Sequence, residues 1–336
     1  MKAVAYHHCL PSHHPECLSD IEIDRPRVSG RDLLVKVAAV SVNPVDSKIR
    51  QNVDPQGHPK VLGFDAAGTV VEVGPDVSLF KVGDAVYYAG DITRSGSNAE
   101  YQLVDERIVG RKPSNLSEPQ AAALPLTSIT AWELLFDRLD INKASSRKPV
   151  LLVIGGAGGV GSILVQLAKH LTQATVIATA SRPESRDWVT SLGADFVLDH
   201  SQPLKPQLVA IGYPEVSHVA CTTHAKQHFP AMIDVLQPQG KLGLIEYAGD
   251  AIDINLLKDK SISLHWEFMF TRAKHHTQDM QQQHELLNQV AQLVEQGSLK
   301  TTIGKHMGLI NASNLMAAHQ MIESNQAIGK LVLAGF

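Results

Sequence analysis

A glycine-rich stretch near the middle of the chain constrains the fold more than any other feature. Residues 151–162 read LLVIGGAGGVGS, with five glycines in twelve positions directly after a run of bulky aliphatic residues. Such a run is typical of a parallel strand that is covered on both faces. After the glycines, apolar residues recur at the spacing of an amphipathic helix. The stretch therefore predicts a strand, a tight turn and a helix in succession.

Three of these glycines, Gly156, Gly158 and Gly161, match the pattern G-x-G-x-x-G. In nucleotide-binding folds their missing side chains allow a tight turn, a close approach of the backbone to a pyrophosphate, and close packing of helix on strand. The helix N-terminus, which includes Gly159 and Val160, then offers unpaired N–H groups to the anion. A tight corner in a buried core would need similar glycines, so the pattern alone leaves both interpretations open.

The sequence that follows the turn favours nucleotide binding. Further aliphatic or β-branched runs, separated by helical or loop segments, occur at 175–180, 195–200, 217–221, 241–247 and 261–268. This alternation predicts a doubly wound parallel sheet, in which the glycine turn joins the first strand to the first helix. We therefore expect a dinucleotide site at this turn.

The end of the second predicted strand indicates which dinucleotide binds. An NAD site usually has Asp or Glu about 20 residues past the glycines, where the carboxylate holds the ribose 2′-hydroxyl. Here the sequence continues Thr179-Ala180-Ser181-Arg182. Ser181 can donate a hydrogen bond, and Arg182 can form a charge-assisted fork to a 2′-phosphate. We expect NADPH as the cofactor; the alternative for Arg182 is a solvated turn residue.

Composition and charge argue against several other classes of function. A net charge of −4, with scattered Lys and Arg, gives little attraction for nucleic acid or anionic lipid, so we expect neither as a partner. The first residues, MKAVAYHHCLPSHH, lack the apolar core of a secretory signal, and the three cysteines suit a reducing compartment. Glycines and Gln166 interrupt the apolar residues 150–168, which argues against a membrane span. We expect a cytoplasmic protein.

The first third of the chain has a different pattern. Short alternating apolar runs, such as 33–40 and 68–74, are punctuated by Gly and Pro and predict a compact β-rich domain. Seven blocks from near one end of the chain to the other resemble successive landmarks of the medium-chain dehydrogenase/reductase superfamily. They are VSVNPVDSKIR (40–50), VLGFDAAGTVVEVG (61–74), FKVGDAVY (80–87), GSNAEYQLVDE (96–106), AAALPLTSITAWELL (121–135), GGAGGVGS (155–162) and GKLVLAGF (329–336).

Within that superfamily the chain most resembles the quinone oxidoreductase branch and its zinc-type alcohol dehydrogenase-like members. The resemblance implies an α/β protein of two domains. One is a β-rich, GroES-like catalytic domain over 1–125 that is completed by 268–336. The other is a Rossmann NADP-binding domain with a doubly wound parallel sheet over 126–267.

The resemblance raises the question of zinc, and the residues argue against it. Zinc-dependent relatives carry a cysteine ligand where Asn43 stands and a His-Glu pair where Phe64 and Asp65 stand. An amide is a poor zinc ligand, a phenyl ring cannot bind metal, and one carboxylate cannot hold a tetrahedral ion. We therefore expect no catalytic metal. The His- and Cys-rich residues 7–17 match no zinc spacing; an exposed loop is expected there, and adventitious metal binding is the alternative.

By resemblance, we expect the substrate and the nicotinamide in a cleft between the two domains, over Asn43, Phe64 and 127–130. Asn43, Lys48 and Tyr88 are the expected catalytic donors to a substrate oxygen. For Lys48 the alternative is a solvated surface lysine. Asp46 also falls at a family landmark, but we interpret it as an acceptor for backbone N–H groups.

Further site residues follow from the resemblance. Phe64, Trp266 and Phe268 are expected to line the substrate pocket; for Trp266 and Phe268 core packing is the alternative. The cofactor is expected to contact the glycine turn and also Thr130, Tyr247 and Lys330. An ordinary strand-edge lysine is the alternative for Lys330. Homodimerisation through the edge strand 262–266 is expected because it is common in the family.

The chemistry that fits these residues is reduction of a quinone or an α,β-unsaturated carbonyl by NADPH. Without a Lewis-acid metal a simple ketone is a difficult substrate, whereas a conjugated acceptor spreads its developing charge so that hydrogen-bond donors can stabilise it. Two alternatives stay open. One is an alcohol dehydrogenase that uses zinc with atypical ligands. The other is an NADPH-binding sensor or a nucleic-acid-binding protein with little turnover.

Overall fold

The computed structural model describes residues 1–142, 148–246 and 252–336. In chain order the strands are β1 (Lys2–Tyr6), β2 (Ser19–Glu22), β3 (Asp32–Val42), β4 (Lys60–Val61), β5 (Ala66–Val73), β6 (Ala85–Tyr88), β7 (Tyr101–Asp105), β8 (Val109–Arg111), β9 (Val150–Ile154), β10 (Thr175–Thr179), β11 (Phe196–Leu198), β12 (Val216–Cys221), β13 (Leu236–Leu244), β14 (Ser263–Trp266), β15 (Ile303–His306) and β16 (Lys330–Ala334).

The α-helices are α1 (Pro44–Asn52), α2 (Glu118–Ala122), α3 (Pro125–Trp132), α4 (Gly159–Leu171), α5 (Pro183–Ser191), α6 (Leu204–Ala210), α7 (Ala225–Val235), α8 (Thr271–Lys274), α9 (Gln282–Glu295) and α10 (Ala312–Glu323). Short 3-10 turns occur at Glu106–Ile108 and Ile254–Leu257, and a π-helical turn follows α3 at Glu133–Arg138. Within the described ranges, no helix is both long and apolar enough to cross a bilayer.

The described residues pack into two compact units. Unit A comprises 1–129 and 270–336, and unit B comprises 130–269. The sequence-based domain limits, after residues 125 and 267, lie within a few residues of these bounds. The catalytic and nucleotide roles assigned to the two domains stay predictions.

Unit A is built mainly on antiparallel strands, although β15 and β16 pair in parallel. Its larger sheet has the order β15-β16-β3-β5-β6-β8, with β7 also paired to β3, and a smaller sheet has the order β2-β1-β4. The long strand β3 pairs with β5, β7 and β16, so it brings the C-terminal strand next to the first third of the chain. This arrangement places residues near 330 beside residues near 42.

Unit B is a six-stranded parallel sheet in the order β11-β10-β9-β12-β13-β14. Strands are added to one side of β9 as far as β11, and then to its other side from β12 onward. This change of side between β9 and β12 is the switch point of a doubly wound fold, where ligands bind outside the carboxyl ends of the strands. Leu151, Leu152, Val153 and Ile154 of β9 are all fully buried, as expected of a central strand that is covered on both faces. The predicted α/β fold class is confirmed, with a β-rich unit and a Rossmann-type parallel sheet.

Two predicted strands of unit B have different limits in the structure. The run 241–247 forms only the end of β13, which begins at Leu236. The run 261–268 shortens to β14, which covers Ser263–Trp266 at the edge of the sheet. An edge strand has a neighbour on one side only, so less of the apolar run is held in the ladder.

Candidate functional site

The glycines of the turn in unit B fall into two kinds: some are required by packing, and one has open space around it. A Cβ on Gly161 would lie 2.2 Å from the carbonyl oxygen of Gly155, and a Cβ on Gly156 would lie 2.9 Å from the Cβ of Ala178. Both glycines are therefore required by the packing of helix, strand and turn. A Cβ on Gly158 would meet only the Gly155 oxygen, at an ordinary 3.6 Å. The fold does not need glycine at 158, and its bare backbone leaves room for a ligand.

The N-terminus of α4 follows directly. This helix begins at Gly159, and Gly158 is its N-cap in an extended conformation with φ −72° and ψ 173°. The first N–H groups of a helix, here those of Gly159, Val160 and Gly161, have no intrahelical acceptor and carry the positive end of the helix dipole. The turn can therefore cradle a phosphate with backbone groups alone.

Ser181 and Arg182 lie on the neighbouring connection. They follow β10, which runs parallel to β9, so both connections leave the same edge of the sheet. Both residues are exposed, and Arg182 is the N-cap of α5. The connection is held by Arg186, whose guanidinium donates to the carbonyl oxygens of Ala180 at 3.3 Å and Val197 at 2.9 Å. An anion can reach Ser181 and Arg182 without displacing this support.

Two other predicted cofactor residues have different settings. Thr130 is buried, with 5% of its surface exposed. Tyr247 lies outside the described residues. The contacts of these two residues with a cofactor stay predictions, as do those of the glycine turn, Ser181 and Arg182.

Lys330, Asn43 and Asp65 meet in a buried polar cluster of unit A. The Lys330 ammonium donates to Asp65 Oδ2 at 3.0 Å, to the Val42 carbonyl oxygen at 3.1 Å and to Asn43 Oδ1. The three side-chain residues are at most 3% exposed. The alternative of a strand-edge lysine is wrong, because β16 lies between β15 and β3.

The Asp65 carboxylate is satisfied from every side. Oδ2 accepts from Ser41 Oγ and Asn43 Nδ2, each at 2.8 Å, in addition to Lys330. Oδ1 accepts from the backbone N–H of Leu126 at 2.8 Å. A buried carboxylate is tolerated only when it is paired and hydrogen-bonded in this way. The cluster therefore presents a neutralised ion pair and an amide of fixed orientation.

Asp46 supports the cluster from the start of α1. Its Oδ2 accepts from the N–H of Asn43 at 2.7 Å, and its Oδ1 accepts from the N–H of Gly63 at 3.1 Å. The interpretation of Asp46 as a backbone acceptor is confirmed. Burial raises the pKa of this carboxyl to about 7, against the lowering effect of the hydrogen bond from Asn43.

The other predicted site residues of unit A differ in exposure. Tyr88 is fully buried, and its hydroxyl has no hydrogen-bond partner among the described residues. Burial raises the pKa of this phenol above its ordinary value, so the hydroxyl stays protonated. Phe64 is 2% exposed and packs edge-on against Phe270, with ring centroids 5.2 Å apart. Lys48 lies on the exposed side of α1.

The two aromatic residues predicted from the end of the nucleotide sheet lie at its edge. Trp266 is 47% exposed at the end of β14, and Phe268 is 42% exposed just beyond it. Core packing, the alternative interpretation, is therefore wrong for both. Their roles in a substrate pocket and in dimerisation through β14 stay predictions.

Sequence reasoning missed two parts of this arrangement. Ser41 carried no motif signal, because its contact with Asp65 depends on the register of β3 with β5. Three histidines near the carboxyl edge of the unit B sheet, His200, His224 and His228, were also missed. Their only sequence signal was position: His200 ends the predicted strand 195–200, and His224 and His228 follow the predicted strand 217–221. Across the ranges the structure describes, three or more His, Cys, Asp or Glu side chains nowhere converge in a metal-binding group.

Two family models match the chain. The model of the alcohol dehydrogenase GroES-like domain matches residues 29–114, and that of the zinc-binding dehydrogenase matches residues 192–333. A zinc-type alcohol dehydrogenase-like protein of Staphylococcus epidermidis is 41% identical over 335 residues, which is 99% of both chains. An NADPH-dependent alkenal/one oxidoreductase of Arabidopsis thaliana is 39% identical over 188 residues, which is 53% of this chain and 47% of that protein.

Solved structures of proteins named as dehydrogenases and oxidoreductases are also similar to this chain. A protein of Rhizobium etli CFN 42, named as a zinc-dependent alcohol dehydrogenase, is 53% identical with a TM-score of 0.97, over 100% of this chain and 98% of that one. The quinone oxidoreductase of Coxiella burnetii is 27% identical with a TM-score of 0.83, over 100% and 99% of the two chains.

Proposed function

Because this chain belongs to the medium-chain dehydrogenase/reductase superfamily, a superfamily of oxidoreductases, we propose that it is a zinc-independent reductase. It transfers a hydride from NADPH to a quinone or an α,β-unsaturated carbonyl. The names of two similar proteins, an alkenal/one oxidoreductase and a quinone oxidoreductase, support this class of acceptor. The observation that carries the proposal is the Lys330 ammonium, 3.0 Å from the Asp65 carboxylate.

The cofactor part of the proposal rests on unit B. The bare backbone at Gly158 and the first turn of α4 suit a pyrophosphate. Ser181 and Arg182 suit a 2′-phosphate, because both are exposed and a hydroxyl and a guanidinium stand where an NAD site usually has a carboxylate. NADPH, when bound, supplies a hydride from its nicotinamide ring.

Zinc does not fit the residues of unit A. A catalytic zinc needs three protein ligands with lone pairs directed at one point. Phe64 has no such atom, and the amide oxygen of Asn43 accepts from Lys330. The Asp65 carboxylate already accepts four hydrogen bonds, one of them from the ammonium. A divalent ion bound to Asp65 would have to displace the Lys330 ammonium, which already neutralises the negative charge of that carboxylate.

The cluster can instead stabilise negative charge on a substrate oxygen by hydrogen bonding. Asn43 Nδ2 carries two N–H groups, and the bond to Asp65 uses one of them. Lys330 binds the amide oxygen, so it fixes the orientation of Asn43 and polarises its N–H groups. Tyr88, protonated and unpartnered among the described residues, is the second proposed donor. Lys48, on the exposed side of α1, is the third.

Such donors suit a conjugated acceptor. When hydride adds to the β-carbon of an enone, or to a quinone, the charge that develops is delocalised onto oxygen, where an oriented N–H can stabilise it. A proton from solvent or a donor then completes the reduction. A saturated ketone concentrates the same charge on a single alkoxide and gains more from a metal ion.

The test is a steady-state comparison of acceptors with the purified protein. NADPH oxidation is measured with a quinone, a linear enone and the saturated ketone of the same carbon skeleton. We expect kcat/KM for the conjugated acceptors to exceed that for the ketone, because the same donors stabilise a delocalised charge in the first case and a localised alkoxide in the second. Equal rates for ketone and enone would contradict the proposal, and NADPH binding without turnover would favour a sensor.

A variant pair assigns the donor. Asn43→Ala removes the oriented amide and is expected to lower kcat for the enone by about 100-fold. Asn52→Ala is the control, because Asn52 lies on the same helix but is exposed, and its side-chain amide donates to the Lys48 carbonyl oxygen at 2.8 Å. Equal loss in both variants would refute the role of Asn43.

A further inference from the structure

Three histidines gather near the carboxyl edge of the parallel sheet in unit B. His200 follows β11, His224 follows β12, and His228 lies in the first turns of α7. The rings of His200 and His228 meet edge to face with centroids 5.9 Å apart. His228 is 7% exposed, and His224 is exposed. We call these three residues the histidine cluster.

A hydrogen-bonded bridge links this cluster to the glycine turn. The Thr179 hydroxyl lies at the end of β10, 3.2 Å from His200 Nδ1, and accepts from the N–H of Gly155 at 3.0 Å. The loop after β12 closes over the same glycine, since a Cβ on Gly155 would lie 2.7 Å from Thr222 Oγ1 and Thr223 Cγ2. His224 Nδ1 is 2.7 Å from the Thr223 hydroxyl. The cluster is therefore built onto the turn that is proposed to hold the pyrophosphate.

Strand register also places His200 next to the connection that carries Ser181 and Arg182. Thr179 pairs with Leu198, and the N–H of Ala180 donates to the Leu198 carbonyl oxygen at 2.9 Å. Both strands end there and run parallel, so Ser181 and His200 each lie two residues past a paired position. Neighbouring strands are about 4.8 Å apart. A 2′-phosphate held by Ser181 and Arg182 would therefore lie within a few ångströms of His200.

The charged groups around the cluster are few. Asp199 precedes His200 in the chain, and its carboxylate is bound to the N–H and hydroxyl of Ser201 at 2.9 and 2.7 Å. On α5, Arg186 is engaged with backbone carbonyl oxygens. Glu246, after β13, accepts from the backbone N–H of His224 at 2.7 Å.

Burial lowers the pKa of both His200 and His228, and the neighbouring histidines lower it further. Asp199 opposes this effect at His200. Before a ligand binds, His200 and His228 are thus predominantly neutral at pH 7. A phosphate dianion within a few ångströms would favour the protonated form, because an opposite charge at that distance stabilises the imidazolium.

We propose that the histidine cluster takes up a proton when NADPH binds but not when NADH binds, so that discrimination between the two cofactors grows as pH falls. This inference rests on the proposed function, since it requires the 2′-phosphate at Ser181 and Arg182. The cluster acts as a specificity determinant and adds a charge only when the phosphate is present. For one linked site, the ratio of the NADH Kd to the NADPH Kd falls as pH rises from 6.5 to 8.0, by at most about tenfold per pH unit.

The experiment is calorimetric titration of the full chain with NADPH and with NADH at pH 7.0, in two buffers of different ionisation enthalpy. The difference between the buffers gives the number of protons bound per cofactor. His200→Asn and His224→Asn remove the imidazole rings, and the amide of asparagine at 200 can still hydrogen-bond to Thr179. His170→Asn is the control, because His170 is an exposed residue in the last turn of α4.

We expect proton uptake with NADPH alone, lost in His200→Asn, reduced in His224→Asn and unchanged in His170→Asn. NADPH binding without uptake, or uptake unaffected by both cluster substitutions, would overturn this inference and leave the proposed function standing. Absence of NADPH binding would overturn both. As a measurement that needs no variant, histidine Cε1 resonances of the wild-type protein are followed by NMR. They must move toward the protonated position with NADPH and not with NADH.

Discussion

Replacing Lys330 by methionine tests the buried ion pair of unit A most sharply. Methionine keeps an unbranched chain of similar length but removes the ammonium. The substitution leaves the Asp65 carboxylate buried without its cation, and it removes a donor from Val42 O and Asn43 Oδ1.

The magnitude follows from what remains around Asp65. Removing one partner of a buried ion pair costs about 3–5 kcal/mol. Asp65 keeps three neutral donors, from Ser41, Asn43 and Leu126, so we place the loss of unfolding free energy near the lower end, at about 3 kcal/mol. Adding Asp65→Asn to Lys330→Met removes the uncompensated charge, so the double variant should be less destabilised than the sum of the two single variants.

Urea unfolding is followed by far-UV circular dichroism, because the three tryptophans, Trp132, Trp188 and Trp266, all lie in unit B. Lys36→Met is the matched control; Lys36 is exposed on β3, and the expected change is within about 0.5 kcal/mol. A loss below about 1 kcal/mol for Lys330→Met, or strict additivity in the double variant, would refute the reasoning.

Three further predictions concern other residues. Gly158→Ala should fold normally, because its Cβ meets only an ordinary contact, yet it should weaken NADPH binding by about tenfold or more. Gly161→Ala should lower Tm, because its Cβ would lie 2.2 Å from a carbonyl oxygen. Tm and the NADPH Kd are measured for both variants, and equal effects on Tm would contradict the assignment. Arg182→Ala should weaken NADPH more than NADH by about 1–3 kcal/mol, measured by titration, and equal losses would refute the 2′-phosphate contact. The pKa of Asp46 is about 7 in the folded state and about 3.9 in the unfolded state, so the folded state retains a proton and loses stability as pH rises from 4 to 7. The loss of unfolding free energy caused by Asp46→Asn, measured by urea unfolding, should therefore be smaller at pH 7 than at pH 5, and a larger loss at pH 7 would contradict the shift.

The parts of the fold that the sequence predicts best are those specified locally. The glycine turn follows from the spacing of Gly156, Gly158 and Gly161 between an aliphatic run and a helical pattern, and the parallel sheet follows from repeated runs. Each of these features is determined by a short stretch of consecutive residues. Strand limits at the sheet edge, as at β14, depend on neighbours and were predicted less well.

The roles of the predicted site residues stay predictions, and the contacts that join Asn43 to Lys330 could not be predicted from the sequence. Asn43 and Lys330 were identified separately through the family resemblance, yet their bond spans 287 positions of the chain and depends on the pairing of β16 with β3. The contact of Thr179 with His200 likewise depends on the order of the parallel strands. Patterns within one segment carry no information on such pairings, which tertiary packing alone determines.

Metal analysis of the active protein tests the central claim most directly. Zinc content is measured by elemental mass spectrometry on the purified chain, alongside NADPH-dependent enone reduction before and after treatment with EDTA. If the Lys330 ammonium supplies the positive charge beside Asp65 in place of a metal ion, the zinc content should be far below one atom per chain. The rate of enone reduction should then be unchanged after treatment with EDTA. One zinc per chain, removed by EDTA together with the activity, would contradict the account.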